Sequence, residues 1–168
     1  MIETERLILR PTSREDGAFI HQLMNTPKWI RFIGDRNIHS AEEAADYIDE
    51  KVRPQLETHG FANNTVIRKA DNTKLGTCGL YDRPGLEGVD IGFAFLPEFE
   101  GQGYGYEAAS ALLQKGLTEY GLKRVVAITL PDNIVSQNLL KKLGLKHVSM
   151  VTIDPSDTEF MLFEVTKG

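Results

Sequence analysis

The segment that most restricts this chain runs from Val89 to Ala108. A β-prone alternating stretch, Val89–Leu96, leads through Gly101, Gly103 and Gly105 into an apolar-periodic run that begins at Glu107. The order is strand, glycine loop, helix. Amides at a helix start lack intrahelical partners, and together with the helix dipole they make an anion cradle. Glycine lets the backbone come close to a phosphate. A nucleoside triphosphatase loop would need Lys and then Ser or Thr after the last glycine, where this chain has Tyr106 and Glu107. A dinucleotide-binding turn would space its glycines G-x-G-x-x-G early in a parallel sheet. Here the spacing is G-x-G-x-G, and antiparallel strands precede it. Two readings stay open: backbone binding of a pyrophosphate, or a loop whose glycines only turn the chain.

The remaining pattern gives one domain over residues 1–168, with no repeat or linker. Thr4–Arg10 alternates as a strand and meets Pro11. Ser13-Arg14-Glu15-Asp16 resembles a capping box before Phe19, Ile20 and Leu23, and Pro27 ends that helix or soon follows its end. Ser40-Ala41-Glu42-Glu43 opens a second helix from about 41 to the high 50s. Strands follow at Thr65–Arg68 and Leu75–Leu80, joined by Ala70-Asp71-Asn72-Thr73. After Val89–Leu96 come a helix at Glu107–Tyr120 and a buried strand at Val125–Leu130. A helix at Ile134–Leu143 is stopped by Gly144. Strands at Lys146–Asp154 and Glu159–Thr166 close the chain around Pro155-Ser156-Asp157. The fold class is mixed α/β. A central, mostly antiparallel sheet of about seven strands carries flanking helices and one βαβ crossover near residues 89–130.

Composition narrows the function classes. The net charge of −5 argues against a cationic sheath for nucleic acid. One cysteine, Cys78, excludes an internal disulfide and a Cys-based zinc site. It reads as a small buried filler, since no His is placed with it. His21, His39, His59 and His147 show no ligand spacing, so no metal is expected. No apolar run approaches the roughly 18 residues of a membrane span, and no basic-then-apolar leader opens the chain. A cytoplasmic location is the expectation.

Two blocks together carry a family likeness. The first is Glu100-Gly101-Gln102-Gly103-Tyr104-Gly105-Tyr106-Glu107-Ala108. The second is Asn133-Ile134-Val135-Ser136-Gln137-Asn138-Leu139-Leu140-Lys141-Lys142-Leu143-Gly144-Leu145. The chain resembles the GNAT superfamily of acetyl-coenzyme A-dependent N-acyltransferases. It departs from that pattern at Glu100, where Gln or Arg is usual, and at Leu145, where an aromatic residue is usual. The opening Thr4–Arg10 and the Ser40–Ile48 helix are similar to the ribosomal-protein alanine N-acetyltransferase branch.

The resemblance implies a GNAT-like fold and acetyl-CoA as the acyl donor. Its strands at 89–96 and 125–130 splay apart, freeing backbone near Phe95 and Leu96 for the pantetheine arm. Amides of Gln102, Gly103, Tyr104, Gly105 and Tyr106 hold the pyrophosphate. Asn133, Ser136 and Asn138 add contacts from the second block. The acceptor is an amine, either a protein N-terminus or a small molecule such as a polyamine, an amino acid or an antibiotic. A non-catalytic coenzyme A sensor is the alternative from another class. Similar proteins commonly dimerise, so a homodimer is among the expectations.

Acid and base follow from the same likeness. Many members place a proton-donating Tyr where this chain has Leu140. Ser136, four residues earlier on the same helical face, then becomes the donor to the thiolate, unless it bonds its own helix backbone. An α-amine is neutral about 10–20% of the time at pH 7, a lysine amine about once in a few thousand molecules. An α-amine acceptor therefore needs less help from a base. Asp90 and Glu159 are the candidate bases, with solvated surface carboxylates the alternative for each. Trp29, Ile30, Arg31 and Phe32, in the first interhelical segment, either select the acceptor or pack.

Overall fold

The computed structural model describes residues 1–153 and 157–168. Asp154, Pro155 and Ser156, where the closing strand and turn were expected, lie outside the described residues.

Among the described residues eight strands form one sheet: β1 (Ile2–Glu3), β2 (Leu7–Pro11), β3 (Asn63–Arg68), β4 (Thr73–Asp82), β5 (Val89–Phe95), β6 (Arg124–Thr129), β7 (Lys146–Thr152) and β8 (Glu159–Thr166). Their order across the sheet is β1-β2-β3-β4-β5-β6-β8-β7. Among the described residues only β5 and β6 pair in parallel; every other neighbour is antiparallel. The count exceeds the expected seven because of β1, whose two residues are too short to show a period.

Helices cover both faces. They are α1 (Gly17–Met24), α2 (Pro27–Phe32), α3 (Ala41–Tyr47), α4 (Arg53–His59), α5 (Tyr104–Thr118) and α6 (Ile134–Lys142). The helix expected from 41 to the high 50s is interrupted by a π-helical turn at Ile48–Val52. Pro54 has no amide to give, and its ring crowds the carbonyl four residues back, which a wider turn relieves. Residues 29–32, expected between helices, are themselves helical. The Thr26 side chain accepts a bond from the Trp29 amide, and Pro27 occupies the first turn.

Two apolar layers result. Leu7, Leu9, Val66, Cys78, Leu80, Ile91, Val125, Ala127 and Phe163 meet Ala108, Ala109, Leu112 and Leu113 of α5, joined by Leu140 of α6. On the opposite face Phe19, Ile20, Leu23 and Met24 of α1 pack with Ala44, Ile48 and Leu96. Cys78 is buried in the first layer, and burial pushes its thiol up to about 12, which removes it as a nucleophile at neutral pH.

A polar chain crosses the second face. The Tyr81 hydroxyl donates to Asn63 Oδ1, and Asn63 Nδ2 donates to Thr12 Oγ1 at 2.9 Å. Thr12 and Thr65 share a hydroxyl bond of 2.9 Å, and Thr65 Oγ1 donates to Asp16 at 3.1 Å. Asp16 is fully buried and takes two bonds from Arg10, at 2.7 and 2.8 Å, and one from Lys74 at 2.7 Å. Burial pushes this carboxyl up, but the hydrogen bonds from Arg10, Lys74 and the Ser13 amide outweigh it. They hold the carboxyl well below the usual range.

Candidate active site

The parallel pair is short. Val89 faces Val125 and Asp90 faces Val126, and among the described residues the two strands pair no further. Past Asp90 the two strands part, and the gap opens toward the glycine loop. Leu96 donates its amide to Leu75 O at 3.0 Å and accepts from the Phe99 amide at 3.0 Å. Its backbone is therefore consumed, contrary to the expectation for this residue, because the strand end turns straight into a 3-10 turn at Pro97–Phe99. Successive amides along a strand point to opposite neighbours. With Leu96 turned to β4, the Phe95 amide faces the gap.

The helix after the loop begins at Tyr104, three residues earlier than its apolar period suggested. Gly103 is its N-cap, with φ +84° in the left-handed region where a side chain is strained, and it has no side chain to cap with. The first intrahelical bond is given by Glu107 to Gly103 O at 3.1 Å. The amides of Tyr104, Gly105 and Tyr106 come before it. Among the described residues no side chain caps them. The Tyr104 ring itself is buried in the core, and Gln102 is exposed, with its side-chain amide on Glu98 O at 3.1 Å.

Arg6 fixes this loop. Its Nη1 donates to Gln102 O at 3.1 Å, its Nε to Glu107 Oε1 at 2.7 Å, and its guanidinium lies 4.4 Å from the Tyr104 ring centroid. Thr4 Oγ1 and the Arg6 amide bond the other Glu107 oxygen at 2.6 and 2.9 Å. The Glu107 carboxylate is thereby turned onto the β1–β2 connection. Burial raises this carboxyl and the bonds from Thr4 and Arg6 more than offset it, so it lies below its ordinary value.

The second block borders the loop. A Cβ on Gly105 would stand 3.3 Å from Leu139 and 3.6 Å from the Phe95 ring, so α6 packs close against the first turn of α5. Asn133 caps α6 by accepting from the Ser136 amide at 3.3 Å, which commits its side-chain oxygen to the helix. Ser136 is half-buried, and among the described residues its hydroxyl makes no hydrogen bond, so it is not tied to its own helix. Asn138 is exposed and sits about 200° around the helix from Ser136. Gln137, not singled out from sequence, holds the β6–α6 turn through Leu130 O and Pro131 O at 3.3 and 2.8 Å. Leu140 is 1% exposed, inside the core.

The two candidate bases separate. Asp90 is 1% exposed. Ile91 lies in the α5 layer and Ala94 against the other, so strand alternation turns Asp90 to the face opposite α5 and α6. Arg83 Nη2 stands 3.2 Å from its Oδ2. Burial pushes the Asp90 carboxyl up, and Arg83 draws back only part of that shift. Glu159 is exposed at the start of β8. Through Val126, the residue level with Asp90 is Glu164, not Glu159. Glu159 lies five residues further along, about 17 Å at strand rise.

Two buried side-chain atoms lack a hydrogen-bond partner among the described residues: Trp29 Nε1 and Thr129 Oγ1. Thr129, 5% exposed, ends β6 where the gap is open, on the face that Val125 and Ala127 share with α5. No sequence pattern flagged it, because burial without a partner is a tertiary property.

A gap between parting parallel strands, uncapped amides at its open end, an unbonded serine on one face and a buried carboxylate on the other suit transfer of an acyl group held by an anionic carrier. The model of the acetyltransferase (GNAT) domain matches residues 6–146. The uncharacterized N-acetyltransferase YnaD of Bacillus subtilis is 26% identical over 145 residues, covering 86% of this chain and 82% of that protein. The ribosomal-protein-S5-alanine acetyltransferase of Vibrio fischeri superposes with a TM-score of 0.82 at 17% identity, covering 99% of this chain and 96% of the other. The spermidine N-acetyltransferase of Vibrio cholerae, solved with CoA and spermine, gives 0.79 at 15% identity, covering 98% and 97%.

Proposed function

This chain belongs to the GNAT acetyltransferase family and is an acyl-CoA-dependent N-acyltransferase, and from that premise we propose that it moves acetyl from acetyl-CoA to the α-amine of a peptide or protein N-terminus. The observation that carries the cofactor half is the parting of β5 and β6 directly after Asp90, with the uncapped amides of residues 104–106 at the far end. The residues fit the group. Those amides and Gly103 would take the pyrophosphate, the Phe95 backbone the pantetheine arm, and the orphaned Thr129 hydroxyl a polar atom of that arm.

Bound acetyl-CoA supplies an activated acetyl thioester as acyl donor. The chain's own residues handle two protons, on two faces of the sheet. Asp90, on the face opposite α6, accepts a proton from the incoming amine nitrogen, directly or through water. A carboxyl pushed up by burial is a better base near neutral pH than an ordinary one. Ser136, on α6, would pass its hydroxyl proton to the sulfur and regain one through solvent as Asp90 releases the proton it took. An α-amine near pKa 7.7–8.0 demands little of Asp90, whereas a polyamine or lysine amine demands far more.

Calorimetric titration with CoA, followed by thiol release from acetyl-CoA with N-terminal peptides, amino acids and spermidine, tests the proposal. Binding plus turnover on peptides supports it. Binding with no turnover on any acceptor makes the protein a sensor, and turnover confined to spermidine replaces the acceptor.

A further inference from the structure

Among the described residues Asp90 has one cationic partner, Arg83, and it bonds loosely. Nη2 stands 3.2 Å from Oδ2 and Nε 3.4 Å from Oδ1, while Nη1 bonds nothing among the described residues. The Asp90 side chain is 2% exposed and that of Arg83 32%, so the guanidinium is the outer member of the pair. The other charged groups of this region are engaged elsewhere or turned to solvent. Asp82 stands 3.3 Å from His59. Glu164, level with Asp90 through Val126, takes bonds of 3.0 and 3.1 Å from Arg124. Glu87, between β4 and β5, is exposed. The Tyr81 ring, cross-strand from Asp90, lies 5.8 Å from the Arg83 guanidinium, and its hydroxyl is committed to Asn63.

The pair is neutral as it stands. When Asp90 takes a proton from the amine, Arg83 keeps its charge, because a guanidinium does not deprotonate in this range. It then loses the one anion bonded to it, and a part-buried charge without a partner is costly. A plain amine leaves the pair singly positive. An amine that carries its own carboxylate returns it to neutrality, and a guanidinium presents its donors as a fork that fits a carboxylate. We propose that Arg83 receives a carboxylate of the acceptor as Asp90 takes the amine proton. The two groups touch, so that carboxylate lies within two hydrogen-bond lengths of the amine, roughly 6 Å. The side chain of an N-terminal Asp or Glu meets this condition, and so does the α-carboxylate of a free amino acid. A polyamine does not. This rests on the acetyl-transfer reading and narrows its acceptor class.

The test compares kcat/KM, expressed per neutral amine, for two pairs of acceptors. One pair is a short peptide with amidated C-terminus that begins with Glu, and the same peptide beginning with Gln. The other is free glutamine and glutamine amide. The wild-type protein should favour the carboxylate of at least one pair by about tenfold or more, the worth of one charged hydrogen bond. Arg83→Gln keeps an amide donor and removes the charge, and should bring that ratio to about one. Arg83→Lys keeps a cation and should retain a preference of about threefold or more. CoA affinity should stay within about twofold in both variants. A merely structural role would lower both members of a pair alike and leave their ratio intact, and that result overturns the proposal. So does a wild-type ratio under about threefold in both pairs, which decides alone if Arg83→Gln does not fold. Preference confined to free glutamine upholds Arg83 and moves the acceptor from a peptide to an amino acid. Failure of the wild-type protein to bind CoA sinks the acetyl-transfer reading instead, and calorimetry separates that result from the others.

Discussion

Arg83 meets Asp90 across the start of β5, with Nη2 3.2 Å from Oδ2, at the last level where β5 and β6 remain paired. The guanidinium keeps the buried carboxylate accessible to ionisation without cancelling the upward push of burial. The acid limb of the kcat/KM profile should then contain a group titrating above the ordinary carboxylate range, beside the amine itself. Asp90→Asn should remove that group, lower turnover by about 10²-fold or more, and leave CoA affinity within about twofold. A profile unchanged in shape would take Asp90 out of proton transfer.

Ser136 gives a complementary expectation on the other face. Ser136→Ala should lower kcat by on the order of 10²-fold. CoA affinity should hold, and stability should stay within about 0.5 kcal/mol, because the hydroxyl makes no bond within the described protein. Thiol release and a thermal melt on the same sample check both halves.

Thr129→Val exchanges an unpartnered buried hydroxyl for a methyl of similar shape. The free protein should melt at the same temperature or higher, since no hydrogen bond is lost and a desolvated polar group is removed. CoA should bind about three- to tenfold more weakly. Unchanged CoA affinity would remove Thr129 from the carrier site.

Asp16 sets the acid limit of the fold. Its carboxyl is held far below the usual value, so its contribution is fully present above the unfolded pKa of about 3.9. That contribution declines as pH falls from there toward the folded value. Asp16→Asn should cost about 3–5 kcal/mol at pH 7, because Arg10 and Lys74 lose a fully buried partner. The gap between variant and wild type should narrow in urea titrations run near pH 3.

Much of this was legible in residue order. Gly103 and Gly105 between a β-prone run and an apolar-periodic one located the loop, and Ser40 and Asn133 cap their helices as their types suggest. Other features were legible in two senses. Pro27 reads as a stop for the helix before it, and equally as the first residue of the next; the Thr26 cap decides for α2. Tyr104-Gly105-Tyr106 are indifferent helix formers, so the start of α5 waited on the left-handed Gly103.

Long-range properties could not be read that way. The roughly 17 Å that divides Glu159 from the level of Asp90 is a matter of strand register through β6. The loss of the Leu96 backbone to Leu75 and Phe99 depends on how β5 ends. The unpartnered atoms of Trp29 and Thr129 depend on what folds over them.

The brevity of the β5–β6 pairing has a mechanical consequence. A sheet fastened along two residue levels is a pair of plates on a hinge, with β1–β5 as one leaf and β6, β8 and β7 as the other. Deuterium should enter the β6 amides that face the gap beyond Val126 sooner than those in the middle of β4, and a carrier wedged between the leaves should slow it.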